Sequence, residues 1–246
     1  MLHDSRISRL WNILYPVVLY FLLSNTVIFL LNALWKQTDE NYLIRYSIAT
    51  MISLPVVFSF YRRQEQKKTG IGTFVLAAVC GMAFAVALNN LIAYSPLISH
   101  SASYREISAS LYGNTILLEI FATCLLAPLL EETLYRGVVY TRLREWFGTG
   151  PAMVLSALLF GLMHFNIVQL IYAGIFGLLL AFVMEKYGLR AAVLTHAAGN
   201  LICILRSETD LHLLLDRSGT VMLVETGLAV LLTGLSLWGL IHKKII

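Results

Sequence analysis

The sequence predicts an all-α fold, a polytopic membrane helix bundle of about eight transmembrane helices. Of the 246 residues, 58% are hydrophobic and only 13% are charged, whereas a soluble domain carries about 25% charged residues. Apolar runs of membrane-spanning length recur along the chain, and most lysines and arginines lie between them. This small number of charged residues is not enough to cover the surface of a soluble globular protein. The excess apolar surface must therefore face lipid.

The predicted spans follow the apolar runs in chain order. Each covers roughly 20 mainly apolar residues, the length that crosses the hydrocarbon core of a bilayer. The first run is too long for the core of a cleaved signal peptide, so we expect it to stay as a membrane helix. The spans lie near residues 11–34, 42–60, 71–94, 113–135, 151–166, 167–185, 190–205 and 221–241.

The basic residues predict the orientation of these spans. With the N-terminus inside, the inner loops hold most lysines and arginines, for example Arg62, Lys68 and Arg144. An excess of basic residues marks cytosolic loops, so we expect both termini to be cytosolic. The longest polar loop, "SPLISHSASYREISASLYG", is then on the outer side. The small size favours a bacterial plasma membrane, with the endoplasmic reticulum as the alternative.

The sequence gives little support to a nucleic-acid partner or to a metal site built from cysteines. No basic stripe interleaved with aromatic residues is present, so we expect no nucleic-acid partner. The three cysteines, Cys80, Cys124 and Cys203, fall inside apolar runs without the close spacing of a metal site. We interpret them as small buried hydrophobic residues.

Two adjacent glutamates interrupt the apolar run in "LLAPLLEETLYRGVVY". Glu131 and Glu132 are followed by Arg136, which stands one helical turn after Glu132 in the favourable order for a helical ion pair. Ionisable side chains at membrane depth are costly and usually functional. The alternative is that the pair marks the end of a span. Because apolar character resumes as far as the turn "GTGP" at 148–151, we expect this helix to run past the pair.

His164, in "FGLMH", is predicted to lie at nearly the same membrane depth as the glutamates. From a turn centred near residue 149, Glu132 lies 17 residues back and His164 lies 15 residues on. At about 1.5 Å per residue, the two positions differ in depth by roughly 3 Å. A lone histidine can instead be a packed residue that is hydrogen-bonded to a backbone carbonyl.

His196 and Asn200, in "HAAGN", are four residues apart and therefore share one face of a helix. An imidazole and a carboxamide side by side offer hydrogen-bond donors that could hold a developing oxyanion. The alternative is a polar contact between helices, which is worth about 0.6–2 kcal/mol in lipid. Each motif alone is weak, whereas the three motifs on successive helical segments form a specific pattern.

The motifs "EETLYR", "FGLMH" and "HAAGN" together resemble those of the CAAX protease and bacteriocin-processing family, also called the Abi family, of intramembrane endopeptidases. The resemblance covers roughly residues 113–205. It divides one membrane domain into N-terminal transmembrane helices at 1–110, a CAAX-protease-like catalytic core at 111–206 and a C-terminal transmembrane helix at 207–246. It implies a cavity open to the cytosolic side and to lipid. The substrate would be a peptide or a lipidated protein, processed in the CAAX manner or as a bacteriocin or signal peptide.

The resemblance also implies roles for the residues of the motifs. Glu131 would be the general base that activates a water molecule, and Glu132 and Arg136 would form a supporting ion pair. His164 would hold or position the water. His196 and Asn200, described above, would stabilise the tetrahedral oxyanion.

Three alternatives remain open at this stage. Glu131, His164 and His196 could ligate zinc with one position left for water. Because they lie on separate helices, spacing cannot certify a metal site, and we prefer a metal-free glutamate mechanism. The protein could also be a non-proteolytic scaffold or immunity protein that binds a partner. Transport is disfavoured because the sequence shows no inverted repeats.

Overall fold

The computed structural model describes residues 6–35, 41–62, 67–112, 114–208 and 219–243, and within these ranges it contains no strand. The predicted all-α polytopic bundle is therefore confirmed. The described helices are α1 (Arg6–Leu34), α2 (Tyr42–Phe60), α3 (Ile71–Ala93), α4 (Ala102–Leu111), α5 (Ile116–Phe147), α6 (Thr149–Leu162), α7 (Ile167–Tyr187), α8 (Leu189–Glu208) and α9 (Gly219–His242).

Helices lie at all eight predicted positions, but the count of eight membrane spans is not confirmed. Among the described residues, five helices are long and apolar enough to cross a bilayer: α1, α2, α3, α7 and α9. The bent pair of α4 and α5 makes a sixth if it is one span. Helix α6 has only 14 residues. Residue 113, where the fourth span is predicted to begin, lies outside the described residues.

Helix α5 runs past the glutamate pair to Phe147, as the sequence predicts. The residue after its end is Gly148, whose φ of 80° is a left-handed conformation that glycine adopts without a steric penalty. Helix α6 ends at Leu162 and not at the predicted residue 166. His164 is therefore in the turn that joins α6 to α7. The next residue, Phe165, has a φ of 56°, which is uncommon for a side chain other than glycine.

Small residues bring α8 into the centre of the bundle. It packs on α3, α5 and α7, and Ala191, Ala192 and Gly199 on it are buried. A Cβ atom added to Gly81 on α3 would stand 2.3 Å from the Thr195 carbonyl oxygen, so the two backbones are nearly in contact. Close approach through small residues is typical of membrane helix pairs, which lack a hydrophobic driving force in lipid.

One end of the bundle collects basic residues, and we call it the basic end. It contains the start of α1 and the ends of α2, α5, α7 and α9. The Arg142 guanidinium donates to the carbonyls of Asn12 and Phe60, and the Lys186 ammonium donates to the Leu240 carbonyl at 2.6 Å. Its described lysines and arginines are Arg6, Arg9, Arg62, Lys67, Lys68, Arg142, Arg144, Lys186, Arg190 and Lys243. The described basic residues of the opposite end are Arg45, Arg105 and Arg206.

Candidate active site

The two glutamates of α5 point in different directions. The α-helical segment Ala127–Glu132 lies between two wider π-helical segments, Ile120–Leu126 and Thr133–Tyr140. Neighbouring residues of an α-helix are about 100° apart around its axis, because one turn takes 3.6 residues. The Glu131 side chain is 17% exposed and lines a cavity. The Glu132 side chain is fully buried, at 0% exposure.

Glu132 is the centre of a buried network of charges and hydrogen bonds. Its Oε1 accepts from the Arg136 guanidinium at 3.2 Å and faces His196 Nδ1 at 2.8 Å. Arg136 also donates to the Gly177 carbonyl at 3.1 Å, and its guanidinium lies 4.5 Å from the centre of the Phe160 ring. The ion pair that the sequence spacing predicts is thus present. It is held by α5, α6, α7 and α8 together.

The His196 ring is fixed on both sides. Phe160 and Phe176 meet it edge to face, each with 5.9 Å between ring centroids. Since Glu132 holds Nδ1, the other nitrogen, Nε2, points to Glu131 and lies 3.8 Å from its Oε2. That gap is too long for a direct hydrogen bond. A single water molecule could contact both groups.

His164 and Asn200 are each tied to a backbone carbonyl. His164 Nδ1 lies 2.9 Å from the Phe160 carbonyl. A carbonyl only accepts, so in the neutral ring the proton is on Nδ1 and Nε2 is an acceptor. Asn200 Nδ2 donates to the Thr123 carbonyl at 2.7 Å. An amide group carries two N–H bonds, so Asn200 keeps a second donor.

One cavity of about 430 Å³ brings four of the six predicted site residues together. These four are Glu131, His164, His196 and Asn200. The other two, Glu132 and Arg136, are buried behind the wall, where Glu132 contacts His196 and Arg136 lies over Phe160. Among the described lining residues, Glu131 is the only acid, and no lysine or arginine takes part.

Tyrosine is the most frequent residue type in the cavity wall, and part of the wall comes from segments that the sequence does not mark as part of the site. The lining tyrosines are Tyr20, Tyr42, Tyr46, Tyr104, Tyr112, Tyr135 and Tyr172. Tyr104 belongs to α4, in the loop predicted to be merely polar. Helix α4 lines the cavity with Tyr104, Ile107, Ser108 and Leu111. Their spacing of three and four residues is the available signal, because it places them on one helical face.

The donor set does not fit a zinc site. In the described part of the chain, no three His, Cys, Asp or Glu side chains lie close enough together to hold a metal ion.

The cavity lies toward one end of the bundle, and the side on which it opens stays a prediction. The resemblance implies an opening to the cytosolic side, and the basic residues predict that the basic end is cytosolic. The residues that line the cavity lie toward the other end, where α4 and the start of α2 form part of its wall. On its side, the rings of Phe21 and Phe165 meet with 5.4 Å between centroids.

Part of the chain matches the model of a known protein family, and that part contains the predicted site residues. Residues 113–202 match the family model described as type II CAAX prenyl endopeptidase Rce1-like. The match confirms the resemblance that the motifs indicate, and it includes all six predicted site residues. No curated protein and no solved structure matches the chain.

Proposed function

We propose that the protein is an intramembrane endopeptidase of the CAAX type, in which Glu131 activates a water molecule for attack on a peptide bond. One observation carries the proposal: Glu131 is the only acid among the described cavity-lining residues, and its carboxylate stands 3.8 Å from an imidazole nitrogen. The Rce1-like match over residues 113–202 supports this class of activity. The endopeptidase would work in a membrane, because apolar helices surround the site.

In the proposed reaction, a water molecule sits between the Glu131 carboxylate and His196. Glu131 takes a proton from the water while the water oxygen bonds to the substrate carbonyl carbon. The carbon becomes tetrahedral, and the former carbonyl oxygen becomes an oxyanion. Glu131 then returns that proton to the amide nitrogen as the C–N bond breaks. The products are a new carboxylic acid and a new amine, so the atoms of one water are consumed.

The oxyanion needs donors, and His196 and Asn200 are the residues placed to supply them. Asn200 has one N–H left after its bond to Thr123. His196 can donate from Nε2 only as an imidazolium, because Nδ1 already faces Glu132. The carboxylate of Glu132 provides the counter-charge at Nδ1, and Arg136 balances that carboxylate. Glu132 and Arg136 are thus positioning residues that act through His196.

His164 is assigned to holding or positioning the water. Its Nδ1 donates to the Phe160 carbonyl, so in the neutral ring Nε2 can accept a hydrogen bond from a water at the cavity surface. A proton acceptor beside Glu131 orients the attacking lone pair toward the substrate carbonyl. The turn that carries His164 is short and fixed, since Asn166 caps α7 through the Gln169 N–H at 2.8 Å.

The substrate class follows from the wall of the cavity. The wall combines tyrosine and phenylalanine rings with aliphatic side chains, and no lysine or arginine is among the described lining residues. Such a wall suits a neutral peptide segment or one that carries an attached lipid. We assign the protein to processing of lipidated CAAX-type or similar membrane-bound peptides in a bacterial plasma membrane. Bacteriocin or signal-peptide processing would use the same chemistry.

The test is Glu131→Gln in proteoliposomes, with a fluorogenic farnesylated CAAX peptide and its unprenylated form as probes. We expect the cleavage rate to fall by about 10²–10⁴-fold, the usual contribution of a general base. Glu145→Gln is the matched control, because Glu145 is exposed at the basic end of the same helix. If Glu131→Gln inserts correctly and cleaves either peptide at the wild-type rate, the proposal fails and a scaffold role is the better explanation.

A further inference from the structure

A second cavity, of about 450 Å³, lies at the basic end, and we call it the basic pocket. It lies where the start of α1, the end of α2 and the end of α5 meet. In the described part of the chain, it shares no lining residue with the cavity that contains Glu131. Its described lining residues are Arg9, Asn12, Ile13, Arg62, Arg142, Glu145 and Trp146.

The basic pocket gathers positive charge from three separate segments. Arg9 belongs to α1, Arg62 comes two residues after the end of α2, and Arg142 lies on α5. Glu145, which is exposed, is the only acid among the described lining residues, so three arginines and one glutamate give a formal charge of +2. The charges of Arg62 and Arg142 are close enough to repel each other. An anion in the pocket would offset that repulsion.

Arg142 is held in place by the backbone and still has donors to offer. Its guanidinium donates to the carbonyls of Asn12 and Phe60. A guanidinium carries five N–H bonds, and its planar fork matches the oxygens of a phosphate. The Asn12 carboxamide and the Trp146 indole N–H are further donors in the lining. Because these donors come from separate segments, they suit an anion such as phosphate, which presents several oxygens.

The residues beside the basic pocket place it at the level of the lipid headgroups. Trp11 and Tyr15 on α1 are exposed, with 5.9 Å between ring centroids, and Tyr15 meets Phe60 edge to face at 5.4 Å. Tryptophan and tyrosine collect at membrane–water interfaces, where an apolar ring can carry a hydrated polar group. On the same face of α1, Val18 and Leu22 are exposed apolar side chains. Acyl chains can lie along this face while the phosphate of the same lipid enters the pocket.

We propose that the basic pocket binds the phosphate group of an anionic phospholipid in the leaflet at the basic end. A lipid headgroup and a free anion share this phosphate chemistry, and the aromatic and apolar residues beside the pocket favour the lipid. The basic residues predict that this end is cytosolic, and basic pockets between membrane helices on that side are typical lipid sites. The bound lipid bridges α1, α2 and α5, and the inference does not depend on the proposed endopeptidase activity.

The test measures the apparent Kd of the first bound lipid by native mass spectrometry, with the full chain in a neutral detergent. The probes are phosphatidylglycerol, which is anionic, and phosphatidylcholine with the same acyl chains, which has no net charge. The pocket variant, Arg9→Gln with Arg62→Gln, removes two charges from exposed lining residues. The matched control variant, Lys68→Gln with Arg190→Gln, removes two exposed charges at the same end but outside the pocket.

We expect the wild type to bind phosphatidylglycerol more tightly than phosphatidylcholine. The pocket variant should bind phosphatidylglycerol about 30-fold more weakly than the wild type, since each basic residue near an anionic headgroup contributes about fivefold. The control variant should keep the wild-type Kd, because its charges lie outside the pocket. Inorganic phosphate at the same concentration as the lipid should not displace it.

The proposal fails if the pocket variant keeps the wild-type Kd, or if the control variant loses as much affinity, because the attraction would then not belong to the pocket. It also fails if the wild type binds both lipids equally. Displacement of the lipid by inorganic phosphate would assign the pocket to a free anion instead. If the double pocket variant does not fold, Arg62→Gln alone gives the same comparison, with an expected loss of about fivefold.

Discussion

At the scale of single residues, two neighbouring glutamates have separate environments. Glu131 meets the cavity, whereas Glu132 is enclosed by Arg136 and His196. Its second oxygen, Oε2, is buried and has no hydrogen-bond partner among the described residues. A buried polar atom without a partner costs stability. We infer that this cost is tolerated because Glu132 fixes the histidine ring.

Arg136→Met should strongly destabilise the protein. It leaves the Glu132 carboxylate buried without its arginine, and removal of one partner of a buried ion pair costs about 3–5 kcal/mol. The measurement is reversible unfolding in detergent micelles. The double variant Glu132→Gln with Arg136→Met removes both charges and should lose less stability than Arg136→Met alone. A single variant as stable as the wild type would contradict the network.

Asn200→Ala should lower kcat by about 10²–10³-fold, the usual effect of losing one oxyanion donor. KM should change little, because the donor is used in the transition state and not in the bound substrate. Steady-state cleavage of the farnesylated peptide separates the two constants. A rise in KM with kcat unchanged would make Asn200 a binding residue instead.

At the scale of helices, part of the site could be predicted from sequence alone. The i, i+4 spacing predicted the contact of Glu132 with Arg136, and the turn at Gly148 predicted that α5 runs past the glutamates. Two features were not predictable locally. The π-helical segments on either side of Ala127–Glu132 depend on packing around α5. The early end of α6, which puts His164 in a turn, has only weak local signals, namely Gly161 one residue before it and Asn166, the cap of α7.

The crossing of α3 and α8 should be intolerant of any added side chain. Gly81→Ala would place a Cβ atom 2.3 Å from the Thr195 carbonyl oxygen, next to His196 in the chain. Overpacking of this kind costs about 1–3 kcal/mol. We expect a lower melting temperature and a slower cleavage rate. Gly227→Ala on α9 is the control, since its Cβ atom would meet nothing within 4 Å, and it should behave as wild type.

At the scale of the whole molecule, the sequence predicted the all-α membrane bundle but not the walls of its cavity. The family match covers residues 113–202, whereas Tyr20, Tyr46 and Tyr104 reach the cavity from outside that region. Long-range packing of helices leaves little mark on local sequence, apart from spacings such as that of Tyr104, Ile107 and Leu111 on α4. The division of the chain at residues 110 and 206 stays a prediction.

The most direct test of the central claim compares four proteins by kcat/KM on the farnesylated peptide: wild type, Glu131→Gln, His196→Ala and the double variant. Residues that act as one catalytic unit do not have additive effects. If Glu131 and His196 share one water, the double variant should be no slower than the slower single variant. A double variant whose loss equals the product of the two single losses, or a Glu131→Gln protein with wild-type kcat/KM, would contradict a shared site.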